Sequence, residues 1–325
     1  MTRAIRIHKT GGPEVLSWDE VMVGAPGPGE LRLRQTAIGL NYIDTYHRSG
    51  LYPLPAMPAV IGMEAAGLVD AVGEGVTDFA VGDRVAYAAP PVGAYAEERL
   101  MPADRVIACP DGIDDVHAAA MMLQGMTAQY LLRQTYRVAA GDTILIHAAA
   151  GGVGLIVCQW AHHLGATVIG TVSTEEKAAL ARAHGCDHPI LYTRENFTER
   201  VRALTDGKGV PVVYDSIGKD TFEGSLDCLR PRGLMVVFGS ASGPVPPFDT
   251  GILAAKGSLY LTRPTLMTYI AERENLVAMA NDLFDVVAAG AVRIQVNQTY
   301  ALKDAAQAHR DLEARRTTGS TVLIP

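Results

Sequence analysis

The sequence predicts an α/β protein of two domains: a doubly wound parallel sheet, and a mainly-β substrate domain that the chain leaves and later rejoins. Three observations carry this expectation. With 325 residues the chain exceeds one ordinary hydrophobic core, at about 100 to 200 residues per domain. Strand-like and helix-like segments alternate only after Ala119, whereas the earlier part is rich in Gly and Pro and lacks a βαβ rhythm. The terminal apolar run Thr321-Val-Leu-Ile324 reads as a strand returning to the first domain. The expected boundaries are residues 1–122 for the opening part of the substrate domain, 123–263 for the parallel sheet and 264–325 for the return.

The elements follow in order. Leu31 to Ala37 and Gly67 to Val72 alternate between turn signals and read as strands. The stretch from Glu64 to Val76, followed by Val81-Gly-Asp-Arg-Val85, alternates apolar residues with Gly/Asp turns, as a twisted antiparallel barrel would. Thr143 to Ala148 is then a strand, Gly152 to Leu164 a helix, Thr167 to Val172 a strand and Glu175 to His184 a helix. Val210 to Asp215 and Leu234 to Phe238 add buried strands with helix-forming segments between them, the pattern of a parallel doubly wound sheet. A long helix is expected from about Tyr269 to Ala289, then a short strand, and a helix near Lys303 to Arg315.

Composition narrows the function classes. Hydrophobic residues at 48% and charged residues at 19% supply two globular cores. A net charge of -7 offers no basic field for phosphate backbones, which argues against nucleic acid. The N-terminal stretch lacks the apolar region of a signal peptide, and no run of about 18 apolar residues appears, so a cytoplasmic enzyme without membrane association is expected. Cys109, Cys158, Cys186 and Cys228 stand far apart without a CxxC, which predicts free thiols rather than a disulfide framework or zinc knuckle.

A dinucleotide site is legible at Ala149-Ala150-Gly151-Gly152-Val153-Gly154, a glycine turn between a strand and an apolar-periodic helix. Glycine lets backbone N–H groups approach a pyrophosphate at the helix N-terminus, where aligned peptide dipoles favour negative charge. Ala149 stands where the usual motif has its first glycine, so the turn taken alone also suits a purely packing role. In this fold a carboxylate at the tip of the next strand would bind the adenosine ribose of NAD. That strand ends Ile169-Gly-Thr-Val-Ser173 and carries none; Ser173 and Lys177 instead suit the 2′-phosphate of NADP, a solvated surface lysine being the lesser reading of Lys177. Glu175 and Glu176 would favour the positive end of a helix capped by Ser173 or Thr174.

Seven segments follow in order along the chain: Lys9-Thr-Gly-Gly-Pro-Glu-Val15, Gly39-Leu-Asn-Tyr-Ile-Asp-Thr-Tyr46, Gly62-Met-Glu-Ala-Ala-Gly67, Gly82-Asp-Arg-Val85, Leu123-Gln-Gly-Met-Thr127, His147-Ala-Ala-Ala-Gly-Gly-Val-Gly154 and Tyr214-Asp-Ser216. Through them the chain resembles, from end to end, the medium-chain dehydrogenase/reductase superfamily, most closely its zinc-free NADPH:quinone oxidoreductase branch, the zeta-crystallin-like proteins. The resemblance implies a Rossmann domain joined to a GroES-like domain. Zinc alcohol dehydrogenases of the superfamily carry Cys where Asn41 stands and His where Met63 precedes Glu64; an amide and a thioether are poor zinc donors. No metal is therefore expected, and without a Lewis acid an already electrophilic acceptor is favoured over an alcohol.

The resemblance further implies an interdomain cleft in which Asn41, Asp44, Tyr46, Thr127, Phe238, Gly239, Ser240 and Arg263 surround the nicotinamide. Ala150, Gly151, Gly152, Val153 and Ser216 belong with the cofactor as well, and Ser173, Lys177, Tyr192 and Arg315 with its 2′-phosphate, Arg316 being the neighbouring alternative to the last. Tyr46 or Tyr52 could supply a proton, so Asn41, Asp44, Tyr46 and Tyr52 form the candidate catalytic set. Against this, Tyr42, Tyr46 and Tyr52 could be barrel-face aromatics. His147 reads as a packing histidine and His162-His163 as an exposed helix face.

The expected reaction is NADPH-dependent quinone reduction by hydride transfer. The alternatives are reduction of an enone or alkenal double bond, and a non-catalytic NADPH-binding protein of structural or RNA-associating type. A homodimer through the sheet edge near Gly257 to Leu261 is also implied by the resemblance.

Overall fold

A computed structural model describes residues 1–325, which divide into two compact units. The first comprises Met1–Met126, Tyr269–Phe284 and Ile294–Pro325; the second comprises Thr127–Thr268 and Asp285–Arg293.

In the first unit the strands are β1 (Thr2–Ile7), β2 (Leu16–Val21), β3 (Glu30–Leu40), β4 (Ala59–Val60), β5 (Glu64–Val72), β6 (Arg84–Ala88), β7 (Glu98–Pro102) and β8 (Ile107–Ala108), with helix α1 (Tyr42–Ser49) after β3 and helix α2 (Asp115–Tyr130) after β8. Strands β15 (Val296–Ala301) and β16 (Ser320–Ile324), with α10 (Ala305–Glu313) between them, join the same sheet. The order is β15-β16-β3-β5-β6-β8, with β7 also pairing β3; a three-stranded sheet, β2-β1-β4, stands beside it. Every pair is antiparallel except β15 with β16, because the α10 crossover returns the chain in the same direction.

Two helices stand in this region that the sequence reading did not place. Helix α1 is short and contains β-prone Tyr, Ile and Thr, so its apolar period is weak. Its ends nevertheless carry signals: the Asp44 carboxylate accepts from the Asn41 N–H at 2.9 Å, and Gly50 closes the helix at φ +86°, a conformation glycine adopts without cost. Helix α2 is buried almost all round from Ala118 to Tyr130, which erases the amphipathic period that would have revealed it.

The second unit is a six-stranded parallel sheet in the order β11-β10-β9-β12-β13-β14. Its strands are β9 (Thr143–Ile146), β10 (Thr167–Val172), β11 (His188–Leu191), β12 (Val210–Asp215), β13 (Leu229–Val237) and β14 (Tyr260–Thr262). Helices α3 (Gly152–His163), α4 (Glu175–Ala183), α5 (Phe197–Leu204), α6 (Phe222–Cys228) and α7 (Gly251–Ala255) connect them. Numbered from β9 the order is 3-2-1-4-5-6, that of the Rossmann fold. Leu145, Ile169, Val213 and Met235 meet Val201, Phe222 and Leu226 in its core.

Strand β9 stops two residues short of the expected end because Ala148 turns into the left-handed region at φ +55°, starting the glycine turn early. Strand β13 begins five residues before the expected Leu234. The long helix expected from about Tyr269 to Ala289 is α9 (Arg273–Ala288), which starts four residues later, after a break that separates it from the short α8 (Leu266–Tyr269). The Arg105 guanidinium takes the carbonyls of Ile270 and Ala271, at 3.0 and 2.8 Å, and so occupies acceptors at the break. All four cysteines are free thiols.

Candidate functional site

In the second unit the strand order reverses between β9 and β12, and ligands of such sheets bind outside the carboxyl ends at that point. After β9 the chain turns at Ala148 and enters α3 at Gly151, whose residue type provides no side-chain cap. A methyl on Gly154 would overlap the Ala148 carbonyl oxygen and the Ala149 backbone, so the helix can pack this close to the turn only with glycine there. The first turn of a 12-residue helix thus opens at the end of β9 with glycine at 151, 152 and 154 and no side-chain cap, a cradle that suits a pyrophosphate at Ala150, Gly151, Gly152 and Val153.

Beyond β12, Asp215 organises the neighbouring turn. Its Oδ1 accepts from the N–H groups of Ile217 and Gly218 at 2.7 and 3.0 Å, and its Oδ2 from the hydroxyls of Thr221 and Ser225 at 2.7 and 3.2 Å. The Phe238 N–H donates to the Asp215 carbonyl at 2.8 Å and the Ala241 N–H to that of Ser216 at 3.0 Å. Ser216, Phe238, Gly239 and Ser240 are therefore brought together, and a methyl on Gly239 would lie 2.6 Å from the Ser216 carbonyl oxygen. The Arg263 guanidinium donates to the Val237 carbonyl at 3.1 Å. Thr127 is nearly buried on α2. Buried His147 lies between the hydroxyls of Thr171 and Ser225, both at 2.9 Å, and burial lowers its pKa; it packs rather than titrates. His162 and His163 lie exposed on α3, with His162 3.9 Å from Asp187.

At the tips of β10 and β11, the Tyr192 N–H donates to the Val172 carbonyl at 3.2 Å and the Thr193 hydroxyl to the Ser173 carbonyl at 3.0 Å. Thr174, rather than Ser173, caps α4 and accepts from the Lys177 N–H at 3.3 Å. Ser173, Lys177 and Tyr192 are thereby gathered. Glu175 is paired with Arg194 at 2.9 Å, and Glu176 is held below the ordinary carboxylate range by its own N–H and the Thr174 hydroxyl. Arg315 belongs to the first unit, where it leaves α10 at φ +59°, while Arg316 is bound to Asp311 at 2.9 Å.

In the first unit the candidate catalytic residues gather on α1 and the loop that follows it. Tyr42 and Tyr46 project from a helix rather than a barrel face, and Tyr46 meets Tyr52 edge-on with ring centroids 5.1 Å apart. Asn41, 5% exposed, donates through Nδ2 to Glu64 Oε1 at 2.6 Å and accepts at Oδ1 from Gln124 Nε2 at 3.0 Å. Asp44 is fully buried, its Oδ2 bound by the Asn41 N–H and the Tyr95 hydroxyl at 2.9 Å each. Tyr95 meets His309 at 3.1 Å; His309 accepts at Nδ1 from Arg48 at 2.9 Å, and Arg48 holds Glu313 through two bonds of 2.7 and 3.0 Å.

Burial dominates the electrostatics of this cluster. It pushes the Asp44 carboxyl up to about 7 and the Glu64 carboxyl up to about 8, and pulls the His309 imidazole down to about 3. Sequence reasoning placed Asn41 and Asp44 but missed Glu64, Tyr95, Gln124, Ser320 and His309 as one connected network. A carboxylate among Met63, Ala65 and Ala66 was the available signal, since an acid in an apolar run needs partners if buried. No three His, Cys, Asp or Glu side chains are arranged to hold a metal ion.

A glycine-turn Rossmann unit, joined to a mainly-β unit with a buried amide and carboxyl cluster, defines a two-domain nucleotide-dependent reductase. Residues 27–140 match the family model of the alcohol dehydrogenase GroES-like domain and residues 152–282 that of the zinc-binding dehydrogenase. The chain is 58% identical to a quinone oxidoreductase of Pseudomonas aeruginosa, with both chains covered in full. It is 54% identical to a 2-haloacrylate reductase of a Burkholderia species, covering 100% of this chain and 99% of the other. The crystal structure of Escherichia coli quinone oxidoreductase complexed with NADPH superposes with a TM-score of 0.98 at 50% identity, covering 99% of this chain and 100% of that one. The chain belongs to the quinone oxidoreductase branch of the zinc-free medium-chain dehydrogenase/reductases.

Proposed function

We propose that this protein reduces quinones with NADPH and without a metal ion. The observation that carries the proposal is the pairing of an uncapped α3 turn for the pyrophosphate with a β10 tip that offers Ser173 and Lys177 in place of a carboxylate. The P. aeruginosa and E. coli quinone oxidoreductases, at 58% and 50% identity, support the choice of acceptor and cofactor.

When bound, NADPH supplies a hydride, and the quinone takes that hydride and one proton to become a hydroquinone. The chain's own residues bind and orient. Ala150, Gly151, Gly152 and Val153 cradle the pyrophosphate; Ser173, Lys177, Tyr192 and Arg315 hold the 2′-phosphate. Ser216, Phe238, Gly239, Ser240, Arg263, Thr127 and Asn41 position the nicotinamide. Tyr46 and Tyr52 stand toward the acceptor as hydroxyl donors, and Asp44 acts through Asn41 and α1. Positioning rather than one indispensable acid accounts for turnover. Residues 1–122 and 264–325 are assigned to the substrate domain and 123–263 to the cofactor domain, although 123–126 are compact with the first unit and 264–268 and 285–293 with the second.

A second reading has a specific support: the 54% identical relative is a 2-haloacrylate reductase, so an activated carbon–carbon double bond is the rival acceptor. Side-by-side turnover of benzoquinones and 2-haloacrylates with NADPH separates the two. Substituting Lys177→Ala tests the cofactor assignment: KM for NADPH rises about tenfold while that for NADH is unchanged, the worth of one charge-assisted phosphate contact. Equal losses for both cofactors would refute it. We also assign the protein to the cytoplasm, which four free thiols suit, and to a homodimer through edge strand β14, where Tyr260 is 61% exposed.

A further inference from the structure

Glu64, Asn41, Gln124 and Ser320 come from four separate segments and form one buried chain of hydrogen bonds. Ser320 Oγ lies 2.8 Å from Gln124 Oε1, Gln124 Nε2 lies 3.0 Å from Asn41 Oδ1, and Asn41 Nδ2 lies 2.6 Å from Glu64 Oε1. Glu64 Oε2 is occupied by the Leu123 N–H at 2.6 Å. As drawn, every donor points toward Glu64, the direction an ionised carboxylate requires. Two carboxamides are nearly symmetric in shape, so each can turn over and exchange its donor and acceptor ends. Ser320 Oγ also lies 3.1 Å from the Ala120 carbonyl, so its proton has a second acceptor. If Glu64 Oε1 carries a proton, the chain can run the other way: Glu64 to Asn41 Oδ1, Asn41 to Gln124 Oε1, Gln124 to Ser320, and Ser320 to Ala120. In both directions each carboxamide oxygen, each carboxamide nitrogen and the Ser320 hydroxyl has a partner in the chain; the reversed one gives up the capping-box contact of the Asn41 amide with the Asp44 N–H, which keeps the Asn41 carbonyl at 3.0 Å.

We propose that Glu64 is a positioning residue whose proton sets the direction of this chain, and with it which atom of the Asn41 amide faces the cofactor. The cofactor part rests on the placement of Asn41 beside the nicotinamide proposed above. Gly39 leaves the space this needs, since a methyl there would overlap the Glu64 carboxylate. The titratable groups facing Glu64 are Asp44 on α1, Tyr87 on β6 and Tyr95; α2 contributes only the Leu123 N–H. Burial, with Asp44 adding to it, places the Glu64 proton exchange near pH 8.

Glu64→Gln provides the test, because its amide satisfies Leu123 with Oε1 and donates to Asn41 with Nε2, locking the reversed direction without a proton. In the full-length protein free of cofactor, the side-chain amide NMR signals of Asn41 and Gln124 are expected to move together with pH, sharing one midpoint, and to be pH-independent in Glu64→Gln. The KM for NADPH is expected to differ about 2- to 10-fold between its acidic and alkaline limits, as for one hydrogen bond, and to stay at the acidic limit in the variant. Amide signals that do not titrate in the wild type, or that still titrate in Glu64→Gln, would overturn the proposal. Titrating amides with a KM that ignores both pH and the substitution would overturn the positioning role. Titrating amides in a protein whose NADPH is not oxidised by any quinone would instead sink the quinone reductase reading and leave the switch standing.

Discussion

Asp44 has no charged partner to repay its burial, only the Asn41 N–H and the Tyr95 hydroxyl, so the neutral acid is the comfortable form below about pH 7. Its folded pKa is raised above the ordinary 3.8, as that of Glu64 is raised above 4.5. Their stabilisation is therefore complete below those ordinary values and drains away as pH rises through about 7 and about 8. His309 has the opposite sign: depressed from 6.5 to about 3, its contribution is present above 6.5 and lost as pH falls toward 3. We expect Asp44→Asn, which cannot ionise, to flatten the fall in Tm between pH 5 and 8 while leaving the acid limb intact. An unchanged alkaline slope in thermal denaturation would contradict this. Asn41 and Asp44 were legible only through the resemblance, as parts of Gly39-Leu-Asn-Tyr-Ile-Asp-Thr-Tyr46. Tyr95 and His309 were not, since partners 214 residues apart meet only through tertiary pairing.

At the scale of elements, α3 shows how one absent side chain sets the geometry of a site. The helix can approach Ala148 only because Gly154 has no Cβ, and the turn must adopt a positive φ at Ala148 to get there. Gly154→Ala is expected to cost about 1–3 kcal/mol of stability, because a backbone oxygen must move, and to weaken NADPH binding by at least tenfold. Isothermal titration and thermal denaturation of the same variant check both parts; unchanged affinity with lowered stability would separate the packing role from the phosphate role. Strands β10 and β12 were legible to the residue, since fully buried parallel strands read as apolar runs. Helix α2 was hidden for the related reason that it is apolar on nearly every side, and the break before α9 because Arg105, distant in sequence, supplies the bonds that fill it.

At the scale of the molecule, the parallel sheet pairs strands entirely within residues 143–262, whereas the first unit closes only when β16 reaches β3, pairing Thr321 with Leu40. Removing residues 320–325 is expected to strip hydrogen-exchange protection from β15 and the end of β3 while β9, β10 and β12 keep theirs. Equal loss across both units would show that they unfold as one. The return strand was legible from Thr321-Val-Leu-Ile324 and a short strand was expected before the Lys303 helix, where β15 stands; their parallel pairing was not legible, because β15 alternates buried and exposed residues without a run that names its partner. Ser320, the last link to Gln124, stands on that same terminal strand. A ribosome adding about 5–20 residues each second completes the parallel sheet of residues 143–262 before it supplies this link. A nascent chain stalled or clipped before Ser320 would thus carry a folded parallel sheet while the buried Glu64, Asn41 and Gln124 relay still lacked its anchor.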